Sequence, residues 1–418
     1  MSSAYSNALS GLNSNSQAIN IVSGNLANLS TAGYKDEQVS FDDLVNESLT
    51  GFANSASISG STTVQSNQQF TQGTLETTGN PFDAAIQGGG FFVVNNTSGQ
   101  QVFTRQGNFQ VNSSGDLVTS TGQFVQGWNA VNGTLSTNGA TGNIVLPTSL
   151  ELQPVATTQF SVTANLNANA AVGSADATFS SPITVYDAEG VSHALTVTYT
   201  ETAPNTWGYS VTIPSTDLTS GTGTSTQLTS GTLTFDGSGN LLTPAAASGA
   251  IPIAITGLAD GASDMNLTWN VYTAAGSPTL TQYNATSANS AASQNGSAAG
   301  QLNSMSIGSN GQVVAQFSNG TSENVAQIAL ASILNPGSMQ QLDGNSYAVT
   351  AQTATPVIGT PSTGARGLIT GGSLETSTVD IATEFTNLLE YERGYQANSK
   401  VISTEDQVVQ QTIALITT

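Results

Sequence analysis

Hydrophobic positions recur every seven residues at the two ends of the chain and every second residue through its middle. Near the N-terminus Tyr5, Leu12, Ile19 and Leu26 form one row. Ala8, Val22 and Leu29 form a second row three positions later, broken by Asn15. This spacing predicts a short amphipathic helix with a coiled-coil-like seam. The helix is expected to end near Thr31-Ala-Gly33, with the glycine as left-handed cap. At the other end Ile381, Leu388, Tyr395, Ile402, Val409 and Ile416 make an unbroken row, widened by Phe385, Leu389 and Ile413. A helix from Thr378 to Ile416 would run about 58 Å at ~1.5 Å per residue. Gly394 inside it costs about 1 kcal/mol against alanine, or lets a neighbour approach closely. Isolated helices owe most of their stability to packing. The two termini are therefore expected to pair with each other and with copies from other subunits.

The middle reads as β. Leu195-Thr-Val197-Thr-Tyr199, Tyr209-Ser-Val211-Thr-Ile213 and Leu267-Thr-Trp269-Asn-Val271 alternate strictly. Turn signals such as Ser114-Gly115-Asp116, Asn310-Gly311 and Asn319-Gly320 separate such runs. Thr219–Ser230 and Ala285–Ala299 are low in complexity and read as loops or linkers. The expected fold class is α plus mainly β. Paired N- and C-terminal coiled-coil-like helices would carry nested antiparallel β domains in an elongated, multi-domain subunit.

Composition narrows the function. The 418 residues carry a net charge of -21, yet only 7% are charged, against about 25% in an average chain. Five Lys and Arg cannot neutralise a run of phosphates or seek an anionic membrane, so nucleic-acid binding is excluded. Without cysteine there is no disulfide, thiolate metal site or cysteine nucleophile, and one histidine defeats multi-histidine metal motifs. No apolar run approaches the ~18 residues of a membrane span, so no membrane insertion is expected. The opening Met1-Ser-Ser-Ala-Tyr5 shows neither basic nor apolar signal-peptide character. No Lys or Arg lies between Arg105 and Arg366. The acidic set there, with Asp187, Asp217, Asp236 and Asp260, reads as a solvated, mutually repelling surface.

Candidate chemistry is weak. His193 starts an alternating strand and reads as structural rather than as part of a Ser-His-Asp triad. Asp236-Gly-Ser-Gly-Asn240 opens like a calcium loop, but Leu241 and Ala247 stand where glycine and glutamate are needed. Gly88-Gly-Gly90 lacks the lysine of a phosphate loop and reads as a bend into the strand Phe91-Phe-Val-Val94. No catalytic, cofactor-binding or metal-ligating residues are assigned and no enzyme activity is expected.

Blocks at both ends resemble bacterial flagellar rod and hook proteins. They are Ala8-Leu-Ser-Gly-Leu-Asn13, Asn25-Leu-Ala-Asn28, Thr31-Ala-Gly-Tyr-Lys35, Asp83-Ala-Ala-Ile86, Phe103-Thr-Arg-Gln-Gly-Asn-Phe109, Gly372-Ser-Leu-Glu375 and Tyr395-Gln-Ala-Asn398. Ser377-Thr-Val-Asp380 and Glu392-Arg393 depart from the family's usual residues at one helix and its start. The insert from Ile183-Thr-Val-Tyr-Asp187 to Asn266-Leu-Thr-Trp269 resembles the outer domain of hook proteins, which separates this chain from the shorter rod members. The resemblance implies a terminal helical domain of residues 1–30 with 367–418, a hinge or linker at 31–70, an inner β domain of 71–149 with 296–366, and an outer β domain of 150–295. It implies a structural subunit that polymerises with itself into a curved, flexible, hollow tube, outside the cell, passing torque from rod to filament as a universal joint. Tyr5, Leu12, Ile19, Leu26, Ile381, Leu388, Tyr395, Ile402, Val409 and Ile416 would be the subunit-packing residues. Further implied partners are the rod, the hook cap, the hook–filament junction proteins and the flagellar type III export apparatus, which needs no cleaved signal peptide. Phe41 and Val45 loosely resemble an export element. The alternatives are a distal rod protein and, outside the family, a secreted β-rich adhesin, a surface-layer protein or an acid-tolerant β-sandwich hydrolase.

Overall fold

The computed structural model describes residues 3–43, 62–131, 133–147 and 149–416. The chain forms two compact units. One comprises Met1–Thr148, Met305–Ala315 and Glu323–Thr418; the other comprises Ser149–Ser304 and Gln316–Ser322.

The first unit holds both long helices, α1 (Ser3–Ala27) and α2 (Ile381–Ile416). α1 stops earlier than its sequence suggests. Asn28 turns its own amide back onto the Gly24 carbonyl at 2.9 Å and so closes the last turn. Gly33 does adopt a left-handed conformation (φ 68°), but in the following turn, where its Cα faces the Arg105 carbonyl. There any side chain would collide with the backbone. α2 starts at an aspartate cap: Asp380 Oδ1 accepts the Thr383 N–H at 2.8 Å, which holds the Asp380 carboxyl below its usual range.

Segments far apart in sequence pair throughout this unit. Leu75–Thr77 pairs antiparallel with Ser373–Glu375, and Ala84–Gln87 with Leu368–Gly371. Phe91–Asn95 is hydrogen-bonded to Gln101–Thr104, Phe124–Asn129 and Leu330–Ser332. Its first four side chains are all buried, after a bend in which Gly88 and Gly90 have positive φ. Phe91, Phe103, Trp128, Ile333 and Tyr347 form the core there, and Phe70 meets Phe91 and Tyr347 edge-on at 5.4 and 5.3 Å. In the 31–70 segment, Glu37–Asp43 and Thr62–Gln68 form an antiparallel ladder.

In the second unit, Thr178–Tyr186, Ser192–Ala203, Thr206–Pro214, Ser225–Phe235 and Leu241–Thr243 form an antiparallel sheet in chain order. A second sheet carries Gln159–Asn167 in its interior. That strand runs parallel to Met265–Asn270 and Leu280–Tyr283 and antiparallel to Ala288–Gln294. Alternation along a strand cannot reveal such parallel pairings, because it reports faces and not directions. The alternating positions do point inward: Leu195, Val197, Tyr199, Val211, Ile213, Leu267, Trp269 and Val271 are buried in one cluster. Phe160 stacks on Trp269 with ring centroids 6.1 Å apart.

Both low-complexity stretches contain strand. Ser225–Phe235 lies within the first sheet, and Ala288–Gln294, almost wholly exposed, lines an edge of the second. Their Ser, Thr and Ala side chains carry no periodic signal. Ladder hydrogen bonds to a strongly patterned neighbour recruit them all the same.

Candidate functional site

α1 and α2 lie antiparallel against each other through small residues. Gly11 faces the Asn398 side chain, and a Cβ at Gly394 would lie 2.5 Å from Asn15 Oδ1. Asn15, which interrupts the α1 row, thus sits at the crossing and donates to the Gly11 carbonyl at 2.7 Å. The buried stripe of α1 is Ala8, Ser14, Ala18, Val22 and Asn25. On α2 the covered stripe runs through Glu384, Leu388, Tyr391, Gly394, Asn398 and Ile402. Given this register, about three turns at the end of α2 run past Ser3.

The seven-residue rows therefore fall partly outside this seam. Tyr5, Leu12, Ile19 and Leu26 are half-buried, as are Leu388 and Ile402. Ile381, Tyr395 and Val409 are exposed, and the Ile416 side chain lies outside the described residues. At 100° per residue, two further apolar groups flank the covered stripe of α2. Phe385 (53% exposed) and Leu389 stand on one side; Val401 and Val408 (54% exposed) stand on the other. A helix this exposed and apolar on two flanks is an unfinished surface. Phe41 is also exposed and meets Tyr391 edge-on at 5.7 Å. Val45 lies outside the described residues.

Where the two helices enter the β layers, buried polar groups stitch them together. Asn25 Nδ2 donates to the Glu37 carbonyl at 2.9 Å, and its Oδ1 accepts from Tyr34 Oη and Glu37 N at 3.2 and 3.0 Å. Thr378 Oγ1 donates to Asp36 Oδ1 at 2.8 Å and accepts from Asp36 N at 3.0 Å. Burial pushes the Glu384 carboxyl up, with Asp36 and Asp380 adding repulsion and Asn25 opposing through a hydrogen bond.

Beside this lies a fully buried ion cluster. Glu375 binds Lys35 Nζ through Oε1 at 2.7 Å and Arg105 Nη1 through Oε2 at 3.4 Å. Glu375 Oε1 also accepts the Gly73 N–H at 2.8 Å, and Lys35 donates to the Thr71 carbonyl at 2.5 Å. Arg105 reaches the Gly88 carbonyl at 3.0 Å and lies over the Phe91 ring at 5.2 Å. Burial lowers the pKa of both Lys35 and Arg105, while Glu375 pulls each back toward its charged form. The cluster joins the exit of α1, the loop before Leu75, the turn after Phe103 and the approach to α2. Three of the sequence blocks noted above, ending in Lys35, holding Arg105 and ending in Glu375, thus meet at one point. Two of the chain's five basic residues are spent here.

In the second unit His193, expected to be structural, is buried and ringed by carboxylates rather than a hydroxyl. Nδ1 lies 3.1 Å from Asp217 Oδ2, and Nε2 lies 3.3 Å from Asp187 Oδ2 and 3.5 Å from Asp260 Oδ2. Burial alone would lower the imidazole pKa; Asp217 and Asp187 outweigh it and raise it. Burial would raise Asp187, but hydrogen bonds with Val191, His193, Asp260 and Glu189 hold it below its usual range. The Asp236 loop closes as a β-turn, its Oδ1 accepting from Ser238 and Asn240 N–H.

Four family descriptions match in chain order. They are Flagella basal body rod protein over residues 6–35, Flagellar hook protein FlgE/F/G D1 domain over 85–169, Flagellar basal body protein FlaE D2 domain over 162–297, and Flagellar basal body rod FlgEFG protein C-terminal over 370–415. The chain is 30% identical over 427 residues to the flagellar hook protein FlgE of Salmonella typhimurium, covering 97% of this chain and 98% of that one. It is 29% identical over 417 residues to FlgE of Escherichia coli, with the same shares covered, and 30% identical over 411 residues to FlgE of Rhizobium meliloti, covering 96% of each. The crystal structure of Helicobacter pylori flagellar hook protein FlgE2 is similar in fold, with a TM-score of 0.54 at 17% identity, covering 72% of this chain and all of that one.

Proposed function

The chain belongs to the flagellar hook protein family and is a structural subunit of the hook rather than of the rod, and from that premise we propose how its own geometry builds and bends a tube. α1 and α2 form a coiled-coil-like pair that is complete only among copies. The pair within one chain covers a single stripe of α2 and leaves Phe385 and Leu389 on one flank, Val401 and Val408 on the other, with an overhanging end. Two open flanks suit a closed ring or helix of subunits, in which each has a neighbour on both sides. That pair of uncovered flanks is the observation that carries the reading.

The remaining parts divide the work. Residues 1–30 with 367–418 make the wall around the channel, and their Asn, Gln, Ser and Thr faces give passing unfolded chains little to adhere to. Residues 71–149 with 296–366 set axial stacking, the 31–70 segment is the hinge, and 150–295 slide against copies as the tube curves. Because 150–295 contain no Lys or Arg, Lys/Arg ion pairs cannot lock copies of this layer in one register. Hydrogen-bonded, water-mediated and apolar contacts exchange more readily. The partners are other copies, then the rod, hook cap and hook–filament junction proteins, with export through the type III apparatus and no catalytic activity. Phe41 and Val45 take part in that export.

Electron microscopy of cells lacking the gene tests the reading. Basal bodies should end at the rod without hook or filament, and the restored gene should return curved tubes. Filament-bearing hooks in the deletion strain would contradict it.

A further inference from the structure

Three turns of the second unit converge on His193. The turn after Thr178–Tyr186 supplies Asp187, and His193 stands on the returning strand. The short turn Ser215–Asp217 supplies Asp217. The loop after Ile255 supplies Asp260 and is tied to that turn by Ala259 N to the Asp217 carbonyl and Thr219 N to the Gly257 carbonyl, both 2.9 Å. Asp187 Oδ1 is occupied by the N–H groups of Glu189 and Val191 at 2.8 and 2.9 Å. Its Oδ2 is left facing the ring.

A single Nε2–H points in one direction, yet Nε2 faces two carboxylate oxygens at similar distances, 3.3 and 3.5 Å. Both exceed the ~2.7–2.9 Å of a good charge-assisted hydrogen bond. They match the ligand–ligand edge of a tetrahedron with metal–ligand bonds of about 2.0–2.2 Å, which is roughly 3.3–3.6 Å. Asp187 Oδ2, His193 Nε2 and Asp260 Oδ2 all lie within 4.8 Å of one another. Asp217, on the opposite ring nitrogen, is placed as the outer carboxylate that fixes tautomer and ring orientation in metal-bound histidines. Asp187 and His193 are buried while Asp260 is exposed, which leaves an entry path and room for water as a further ligand.

We propose that Asp187, His193 and Asp260 form a binding site for a divalent transition-metal ion, oriented by Asp217. One imidazole with two carboxylates selects zinc-like ions over calcium or magnesium, which prefer all-oxygen shells. The ion clips the 187–191 turn to the loop around Asp260 and stiffens this unit. It acts by mass action on the folded state, independently of how the hook assembles.

The test uses the full chain, stripped with a chelator and titrated with Zn2+ by calorimetry and by melting. One ion per chain should bind, and the melting temperature of the second unit should rise. Excess Ca2+ should not compete. Asp260→Asn, an exposed change that spares the fold, should weaken binding at least tenfold, as should Asp217→Asn. His193→Ala should abolish it. With no cysteine and no second histidine, few other sites compete. Equal Zn2+ uptake by native chain and His193→Ala would mean adsorption to the acidic surface and would overturn the proposal. So would absence of binding with unchanged melting, which would make the cluster an imidazolium held by carboxylates only.

Discussion

Glu375→Gln lowers the stability of the helix-bearing unit by about 3–5 kcal/mol, the usual penalty for breaking a buried ion pair from one side. For a unit of this size that is a fall in melting temperature of roughly 10 °C. Lys35 and Arg105 would lose the carboxylate that both of them bind while remaining buried, and the Gly73 N–H would lose its charge-assisted pairing. The melt of the second unit should not move, since its core around Trp207 and Trp269 is its own. Calorimetry of native and variant chains reads both. Adding Lys35→Met to Glu375→Gln should cost less than the two changes separately, because the first loss strands the cation that the second removes. A Glu375→Gln chain that melts within a degree or two of the native one would show that the cluster is not holding the two helix entrances.

The second large effect is on assembly. Phe385→Asp and Val408→Asp should each leave the monomer's fold and melting intact, because both positions are more than half exposed. Tubes should fail to form. Each change forfeits about 1.5–3 kcal/mol of apolar burial per contact and adds the several-kcal/mol desolvation of a carboxylate. Together these raise the concentration needed for assembly by on the order of a thousandfold or more. Sedimentation and electron microscopy measure it. Normal yield of tubes from both variants would place the subunit contact elsewhere. Leu388 and Ile402, in the seven-residue row, are poorer probes, since both are half-buried within the chain and a charge there would confound folding with assembly.

How much of this was legible depends on whether a feature is written locally. The helices and the strands around Leu195–Tyr199 and Leu267–Val271 announce themselves, because periodicity reports which face is buried. α1 ends a few residues before Gly33, because an asparagine side chain closes its last turn, a local bond that periodicity does not report. The strand Ser225–Phe235 was hidden, because its pairing partner and not its composition specifies it. The rows on the helices were visible, but which stripe faces its own chain was not. Gly11, Asn15, Gly394 and Asn398 decide that by close approach; Gly394 and the break at Asn15 stand out in the sequence, but which positions they face does not. The two buried charge clusters escaped for a different reason. Lys35 and Glu375 are 340 residues apart, and Asp187 and Asp217 reach His193 from opposite sides along the chain. Only the fold brings such groups together. The acidic set of the middle region read as uniform surface, whereas Asp187 is fully buried.

The absence of cysteine permits a direct test of the uncovered flanks of α2. A Val408→Cys chain is labelled with a maleimide as monomer, then as assembled tubes, then after the tubes are dissociated. The account predicts rapid labelling of monomers, at least tenfold protection in tubes, and recovery on dissociation. Equal reactivity in monomers and tubes would contradict it.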